Sequence, residues 1–307
     1  MTGSGSRYDD CRIIWAGGSQ ARDLAEVLTS GTAERSGSNL VASCIKSKAS
    51  LLVLSKRASF TLSSTATAHG FDRSATRSIV AAVGGGPHSI LAATLAEWLS
   101  SKLEVPASAV CGYSEQHERP EAERVLATTL SMLPDMDSRT VEASSPAAMV
   151  RTLPPGTLLI IGAPEGSWFQ RRFFGPGARI RAMSSSGNIV VRHQPPRIYQ
   201  VMREPVAYGP NMLVSVALEL ADGFDVVVAE QGRLLGTVEA DVMLGADPDL
   251  ELHHLMEDGR FLAPEDETDG VRELAASHSR TVLPVVDAKS HLVGCVSAAD
   301  LSKPVVV

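Results

Sequence analysis

Residues 280–301 read RTVLPVVDAKSHLVGCVSAADL, and this stretch decides how the rest of the chain is interpreted. Two short runs rich in β-branched residues, 282–286 and 292–296, flank a polar turn at residues 287–290. Runs of this kind separated by a turn predict two successive β-strands. A helix is then predicted to begin at Ser297.

Ser297 and Asp300 stand three residues apart at this predicted strand-to-helix junction. One interpretation is a capping box, in which Ser297 is the N-cap and the Asp300 carboxylate binds backbone N–H groups. The other interpretation leaves Asp300 free to accept hydrogen bonds from the two hydroxyls of a ribose, beside N–H groups that favour a phosphate. The spacing alone leaves both interpretations open.

The sequence around this pair resembles a known family. The run LPVVD at residues 283–287, followed by Gly294-x-x-Ser297-x-x-Asp300, is similar to the second half of a cystathionine-β-synthase (CBS) domain pair, also called a Bateman module. The resemblance implies a module that binds an adenosine nucleotide (AMP, ADP or ATP) as a regulatory ligand. It also implies that the Ser/Thr and Asp of the motif are used for binding, and both positions match.

The resemblance gives each site residue an expected role. Asp300 is expected to accept from the ribose hydroxyls, and Ser297 is expected to help hold the phosphate end. The backbone that faces the base is expected at Thr281, Val282 and Leu283.

The CBS pair is expected to occupy residues 198–307 and to follow a stiff linker at Pro195 and Pro196. Each half is expected to have the order β-α-β-β-α. The first half is assigned to residues 198–245 and the second to residues 252–304.

The first half departs from the motif. Asp241 stands five residues after Gly236, whereas Asp300 stands six residues after Gly294, and Glu239 replaces the hydroxyl residue. One residue on a helix rotates a side chain by about 100°. We therefore expect the first nucleotide site to be defective or altered.

Residues 78–194 alternate continuous apolar runs with helical segments, which predicts an α/β fold with a parallel sheet covered on both faces. IVAAVGGGPHS at 79–89 and LLIIGAPEGSWFQRRFFGPGARI at 158–180 resemble a universal stress protein domain. The second stretch follows that family's pattern Gly-x2-Gly-x9-Gly-Ser/Thr, which is used for phosphates. The resemblance implies a nucleotide site with weak candidates at Gly84, Gly162, Gly175 and Gly177.

This candidate site is degenerate. Gly84 stands where the family has an acidic residue, Glu165 replaces the second glycine, and Pro176 replaces the final Ser/Thr. A carboxylate about 4 Å from a phosphate charge costs on the order of 4 kcal/mol at an effective dielectric near 20. We expect ATP binding to be lost here, although Arg171 and Arg172 offer compensating charges.

Residues 1–77 are interpreted as a partial stress-protein-like fragment and a linker. Gly18-x2-Ala21-x9-Gly31-Thr32 repeats the glycine spacing at Gly162, so residues 12–54 are similar to the closing β-α-β of an earlier domain. Residues 55–77, rich in Ser, Thr and Ala, are predicted to be a linker or loop.

Composition narrows the function classes. Residues 198–307 contain 7 basic and 19 acidic residues, which disfavours nucleic acid as a partner. No apolar stretch reaches membrane-spanning length and no signal pattern opens the chain, so a cytoplasmic protein is expected. The four cysteines lack metal spacing, and no metal is expected.

These features predict a cytoplasmic regulatory protein of the stress-response type, not an enzyme. It would sense an adenosine nucleotide through the CBS pair, use the stress-protein domain mainly as a scaffold, and form a homodimer, as the resemblance to both families implies. Two alternatives stay open. One is a nucleotide hydrolase or phosphotransferase that uses the loop from Gly162 to Gly177, and the other is a ligand-free dimerisation scaffold.

Overall fold

The computed structural model describes residues 8, 10–31, 33–56, 60–163, 186–276, 281–303 and 305. The chain divides into two compact units, the first ending at Gln194 and the second running from Pro195 to Val305. No helix among the described residues combines the length and the apolar character that crossing a membrane requires. Each unit is described below by itself.

The first unit is built on one large sheet. Its strands are β1 (Ile13–Ala16), β2 (Glu34–Arg35), β3 (Leu51–Leu54), β4 (Ser64–His69), β5 (Ser78–Ala82), β6 (Ala107–Tyr113), β7 (Asp137–Glu142), β8 (Thr157–Gly162) and β9 (Asn188–Arg192). Its helices are α1 (Ser19–Leu28), α2 (Leu40–Ser47), α3 (Pro87–Leu103), α4 (Arg119–Thr129) and α5 (Pro146–Arg151). The strand order is β2-β1-β3-β4-β9-β8-β5-β6-β7. All neighbouring pairs are parallel except β4 and β9, which are antiparallel.

The sheet is buried on both faces. Along β5, Ile79 and Ala81 belong to one apolar cluster, and Val80 and Ala82 belong to another. Successive residues of a strand point to opposite faces, so the two clusters lie on opposite sides of the sheet. A sheet covered on both sides explains the continuous apolar runs in the sequence, and the predicted α/β fold class with a mostly parallel sheet is confirmed.

Local sequence signals set several helix starts. The side chain of Asn39 accepts a hydrogen bond from Ala42 N at the start of α2, and Ser145 does the same for Ala148 N at α5. Both are N-caps, which satisfy backbone N–H groups that the first helical turn leaves free. Pro87 opens α3, where its missing N–H is not needed.

The expectation that residues 55–77 are a linker was wrong at β4. This strand, STATAH, pairs with β3 on one side and with β9 on the other. Ala66 and Ala68 are fully buried in the core. Threonine is β-branched and favours strands, and small alanines fit where helices pack closely on the sheet, so a segment with a loop-like composition lies inside the core.

Residues 1–77 and 78–194 share one sheet in this unit. The antiparallel pairing of β4 with β9 connects the strands of the N-terminal piece, β1–β4, to the remaining strands, β5–β9, in one sheet. Ile13, Leu24 and Leu51 belong to the same apolar cluster as Ile79. The N-terminal piece therefore buries its apolar surface against the rest of the unit. Thr32, the last residue of its glycine pattern, lies outside the described residues.

The second unit contains two pairs of antiparallel strands, five α-helices and one 3₁₀-helix (Leu252–His254) in its described residues. The elements are α6 (Ile198–Val201), α7 (Val214–Ala221), β10 (Val226–Glu230), β11 (Arg233–Val238), α8 (Ala240–Gly245), α9 (Thr268–Ala276), β12 (Val282–Val286), β13 (Leu292–Ser297) and α10 (Ala298–Leu301). The two sheets are β10-β11 and β12-β13.

The two halves of this unit repeat the same order of elements. Before α7, Tyr208 forms a parallel bridge to Val228, and before α9, Leu262 forms a parallel bridge to Val285. Each half then continues with a helix, two antiparallel strands and a short helix. This is the β-α-β-β-α order predicted from the sequence, with the first strand reduced to one bridge.

Each half also places its opening segment on the second strand of the other half. Arg203, in the opening segment of the first half, forms an antiparallel bridge to Cys295 on β13. Glu257, in the opening segment of the second half, forms the equivalent bridge to Thr237 on β11. The two halves are therefore joined reciprocally, as in a symmetric pair.

A glycine lies next to each of these bridges, on the strand that the opening segment contacts. A Cβ atom at Gly236 would lie 2.4 Å from Glu257 O, and one at Gly294 would lie 3.0 Å from Arg203 O. The distance at Gly236 is too short for a side chain against backbone, and the distance at Gly294 is a tight contact, so glycine lets the segments approach closely at both positions. The two glycines used above to align the halves thus have the same structural role.

Candidate functional site

The predicted site residues of the second half meet at one end of the β12-β13 pair. Ser297, the last residue of β13, lies directly opposite Val282, and Leu283 lies opposite Val296. The side chains of Val282 and Leu283 are buried, and Thr281 is half-buried. The structure therefore brings Ser297 beside the three residues whose backbone was expected to face a base.

Asp300 is a buried carboxylate at this end of the sheet. Asp300 is 5% exposed and Ser297 is 7% exposed. Asp300 Oδ2 accepts one hydrogen bond from Ser297 N at 3.0 Å and another from Ser297 Oγ at 2.7 Å. The capping contact predicted from the spacing is present, and it occupies one of the two carboxylate oxygens.

Two cations flank the same carboxylate. Lys303 Nζ donates to Asp300 Oδ1 at 3.1 Å, and Arg203 Nε lies 3.4 Å from Asp300 Oδ2. The Lys303 side chain is 69% exposed and that of Arg203 is 50% exposed. Ion pairs to exposed side chains contribute only about 0–1 kcal/mol, so polar groups of a ligand can replace them.

Arg203 is a further residue of this site, which the motif did not indicate. It belongs to the opening segment of the first half and reaches Asp300 because this segment pairs with β13. The sequence feature that could have indicated Arg203 is the similarity between the opening segments of the two halves, at residues 201–202 and 255–256. Arg280, the first residue of the stretch that carries the motif, lies outside the described residues.

The pKa of Asp300 is lowered from its usual value. Burial raises this pKa, but the hydrogen bonds from Ser297 and Lys303 and the charge of Arg203 outweigh the effect of burial. Asp300 is therefore ionised at neutral pH. An ionised carboxylate accepts hydrogen bonds and donates none, which matches the hydroxyls of a sugar.

The first half lacks this arrangement. Counting from the aligned glycines Gly236 and Gly294, Val242 occupies the position of Asp300, and its side chain is 44% exposed. Asp241 is exposed at the preceding position, and Glu239 takes the N-cap position of Ser297. The helix start in this half is instead capped by Asp225, whose Oδ1 accepts from Ala240 N at 2.9 Å.

Two weak candidates of the first unit, Gly84 and Gly162, lie at the carboxyl ends of β5 and β8. Gly84 N donates to Ser89 Oγ at 3.0 Å, so this N–H group already has an acceptor. A Cβ atom at Gly162 would lie 3.0 Å from the backbone of His88, so the start of α3 packs directly on this glycine. The remaining residues of the pattern, Glu165, Arg171, Arg172, Gly175, Pro176 and Gly177, lie outside the described residues.

Two cavities are found among the described residues of the first unit, and one of them is lined by Gly85 and Gly86, directly after the candidate Gly84. One, of about 650 Å³, lies between α4 and β7, and the other, of about 240 Å³, lies between Gly85 and the helix α4. Within the described part of the chain, no cluster of three or more His, Cys, Asp or Glu residues is arranged to hold a metal ion.

Comparisons with solved structures find proteins with CBS domains that are similar to about a third of this chain. No family model matches, and no curated protein matches.

The cytosolic domain of the Mg²⁺ channel MgtE in complex with ATP is 27% identical, over 34% of this chain and 47% of that chain, with a TM-score of 0.31. This chain thus spans about half of the MgtE chain. The CBS-pair protein CBSX2 from Arabidopsis thaliana is 18% identical, over 34% of this chain and 90% of that chain, with a TM-score of 0.31. A CBS domain pair in complex with 5′-methylthioadenosine and S-adenosyl-L-methionine is 16% identical, over 35% and 94% of the two chains, with a TM-score of 0.31.

Proposed function

We propose that this chain is a regulatory protein that binds one adenosine nucleotide at the Ser297–Asp300 site of a CBS pair. The observation that carries the proposal is the environment of Asp300, a buried and ionised carboxylate with one exposed cation on each of its oxygens. A ribose phosphate offers both hydroxyls for the carboxylate and negative charge for the cations.

Binding rearranges the network at Asp300. Oδ1 accepts from the ribose hydroxyls in place of Lys303, whose ammonium group then contacts the phosphate together with Arg203. Ser297 Oγ has one proton to donate, and in the free chain this proton goes to Asp300 Oδ2. Ser297 therefore holds the phosphate only after its hydroxyl turns away from the carboxylate, while its backbone N–H keeps the cap.

The proposal gives one nucleotide site per chain. The first half has Val242 where the second has Asp300, so a ribose there has no carboxylate to bind. In this proposal the first unit is a scaffold of the stress-protein type, the protein is cytoplasmic and not an enzyme, and it forms a homodimer.

Titration calorimetry with AMP and with ATP tests the site. Wild type is expected to bind about one equivalent, and Asp300→Asn is expected to bind about tenfold or more weakly, because a hydrogen bond to a charged group contributes about 1.5–3 kcal/mol. Asp241→Asn is the matched control, since it removes an exposed carboxylate from the equivalent helix of the first half. Equal affinities for the two variants would contradict the assignment.

The same samples separate the two rivals. Release of phosphate from ATP above a blank without protein would favour a hydrolase that uses the loop from Gly162 to Gly177. If Asp300→Asn lowers stability while wild type binds neither nucleotide, the capping contact is the whole role of this residue, and the chain is a scaffold.

A further inference from the structure

The two edges of the large sheet in the first unit differ in length. In the described part of the chain, the outermost strands are β2, which is two residues long, and β7, which is six residues long. β7 pairs with β6 in one unbroken register and contains no proline. Proteins commonly protect sheet edges with short strands, prolines or bulges, because free N–H and C=O groups pair with other chains. The short β2 has this protection, whereas the outer edge of β7 is open to another strand.

Every second residue of β7 points its backbone groups away from the sheet. Ala143 N, directly after β7, donates to Tyr113 O on β6 at 2.8 Å. Backbone groups alternate sides along a strand, so the N–H and C=O groups of Ser138, Thr140 and Glu142 point outward. Among the described residues, no segment on this outer side forms a backbone hydrogen bond with these three residues. The edge therefore offers both donors and acceptors to an added strand.

An apolar cavity runs beside this open edge. It is the cavity of about 650 Å³ between α4 and β7, and we call it the β7 groove. Thr140 lies opposite Cys111, which belongs to the same apolar cluster as the α4 residue Leu126, so Thr140 is on the α4 face of the sheet. An added strand would place every second side chain on this face. There it would meet the apolar lining of the β7 groove, which comprises Leu126, Ala127, Leu130, Leu133, Pro134 and Met136.

The other face of β7 carries a cation at its middle. Arg139 lies opposite Val110, which belongs to the second apolar cluster, so the two faces of the edge are distinct. The Arg139 side chain is exposed, and within the described residues no acidic side chain forms an ion pair with it. The carboxylates of β7, Asp137 and Glu142, stand at its two ends. Opposite charges on neighbouring strands stabilise their pairing, so the centre of this edge favours an acidic residue on the added strand.

We propose that the outer edge of β7 binds an extended segment of a partner protein, which adds to the sheet as one more strand. Backbone hydrogen bonds to Ser138, Thr140 and Glu142 provide the affinity, and alternate side chains provide the specificity. The segment has apolar side chains at every second position, and these enter the β7 groove. On its other face it has an acidic side chain at the centre, beside Arg139.

A second copy of this chain fits this edge less well. Antiparallel pairing of two β7 strands about a two-fold axis keeps the α4 faces of both copies on the same side of the joined sheet. The side chains that reach the β7 groove would then be Ser138, Thr140 and Glu142 of the other copy. All three are polar, so they leave the apolar lining of the groove without apolar contacts.

Fluorescence anisotropy with the full chain and labelled short peptides tests the proposal. The first peptide has valine at every second position, threonine between the valines and one glutamate at the central threonine position. In the second peptide lysine replaces this glutamate, and in the third the backbone amides of the first are N-methylated. The glutamate peptide is expected to bind about fivefold or more tightly than the lysine peptide. The N-methylated peptide is expected not to bind, since it cannot donate to the edge.

Substitutions in β7 locate the binding surface. Thr140→Pro removes an outward N–H group and places a ring on the open edge, but leaves the hydrogen bonds to β6 in place. It is expected to weaken binding of the glutamate peptide about tenfold or more. Thr140→Val is the matched control, since it keeps the N–H group and the branched shape, and it is expected to bind like wild type. Circular dichroism checks that both variants are folded.

Arg139→Glu is a second test that leaves the backbone of β7 unchanged. It reverses the charge at the centre of the edge, so the lysine peptide is expected to bind more tightly than the glutamate peptide. The proposal is wrong if no peptide binds, if the N-methylated peptide binds as well as its parent, or if neither Thr140→Pro nor Arg139→Glu alters binding. Sedimentation velocity identifies the other occupant, since a dimer that Thr140→Pro dissociates would show that a second copy covers this edge. None of these results depends on whether the Ser297–Asp300 site binds a nucleotide.

Discussion

At the scale of single residues, Asp300 carries two kinds of contact. Its Oδ2 completes the start of α10 through Ser297, and its Oδ1 contacts an exposed lysine. The first contact stabilises the fold and the second is replaceable. The two interpretations that the sequence left open are therefore compatible, since one carboxylate has an oxygen for each.

The lowered pKa of Asp300 predicts a pH-dependent stability. The Asp300 carboxyl group has a pKa near 3.9 in the unfolded chain and a lower pKa in the folded chain. Its contribution to the free energy of unfolding is therefore fully present above about pH 3.9 and is lost as the pH falls through the pKa of the folded chain. Asp300→Asn is expected to lower the free energy of unfolding by about 1–2 kcal/mol at neutral pH. In urea titrations the difference from wild type should shrink below about pH 4.

The control for this prediction is Asp269→Asn. The side chain of Asp269 is 69% exposed in its ion pair with Arg272, so its loss is expected to cost less than about 1 kcal/mol at neutral pH. A deficit of Asp300→Asn that stays constant from neutral to acid pH would show that the charge of Asp300 does not stabilise the fold.

The four cysteines are free, buried thiols. Burial raises the pKa of Cys11, Cys44 and Cys111 to about 12 and also raises the pKa of Cys295. At neutral pH the buried thiols are therefore protonated, and the thiolate is the reactive form. We predict that a disulfide reagent labels the native chain slowly and labels all four thiols rapidly in urea. Fast labelling of the native chain would contradict this burial.

At the scale of elements, the crossing segments of the second unit depend on Gly236. In Gly236→Ala the new methyl group would lie 2.4 Å from Glu257 O, so either β11 or the crossing segment must move. Overpacking of this kind costs about 1–3 kcal/mol. We expect thermal or urea unfolding to show this decrease in the free energy of unfolding of Gly236→Ala relative to wild type. Gly245→Ala is the control, since no atom lies within 4 Å of its Cβ position, and it is expected to change stability by less than about 0.5 kcal/mol.

The strand β4 gives a second prediction at this scale. Because it is hydrogen-bonded on both sides in the middle of the sheet, its amides should exchange with solvent as slowly as those of β3 and β9. Hydrogen exchange followed by mass spectrometry measures this protection. Rapid exchange of residues 64–69 would restore the linker interpretation.

The difference between β4 and its neighbours shows how far the sequence could be read. Strands such as β5 and β8 contain continuous apolar runs, residues 79–82 and 158–161, and such runs indicate buried strands without any tertiary information. The sequence STATAH has no such run, and only its two paired neighbours make it a strand. Likewise, the Ser297–Asp300 contact follows from local spacing, whereas Arg203 reaches Asp300 through a tertiary crossing that no local pattern encodes.

At the scale of the whole molecule, charge and architecture change together at the boundary of the two units. Residues 1–194 contain 20 basic and 16 acidic residues, whereas residues 198–307 contain 7 basic and 19 acidic residues. In the acidic unit, Arg203 and Lys303 stand at the proposed nucleotide site. A nucleotide is an anion, so these two cations provide the local attraction that the unit as a whole lacks.

The central claim is the location of the nucleotide, and backbone amide NMR during a titration with AMP tests it most directly. The account predicts that the resonances of Thr281, Val282, Leu283, Ser297 and Asp300 shift together and saturate at one equivalent. Shifts confined to Gly84, Gly162 and their neighbours in the first unit, or no shifts at any residue, would contradict it.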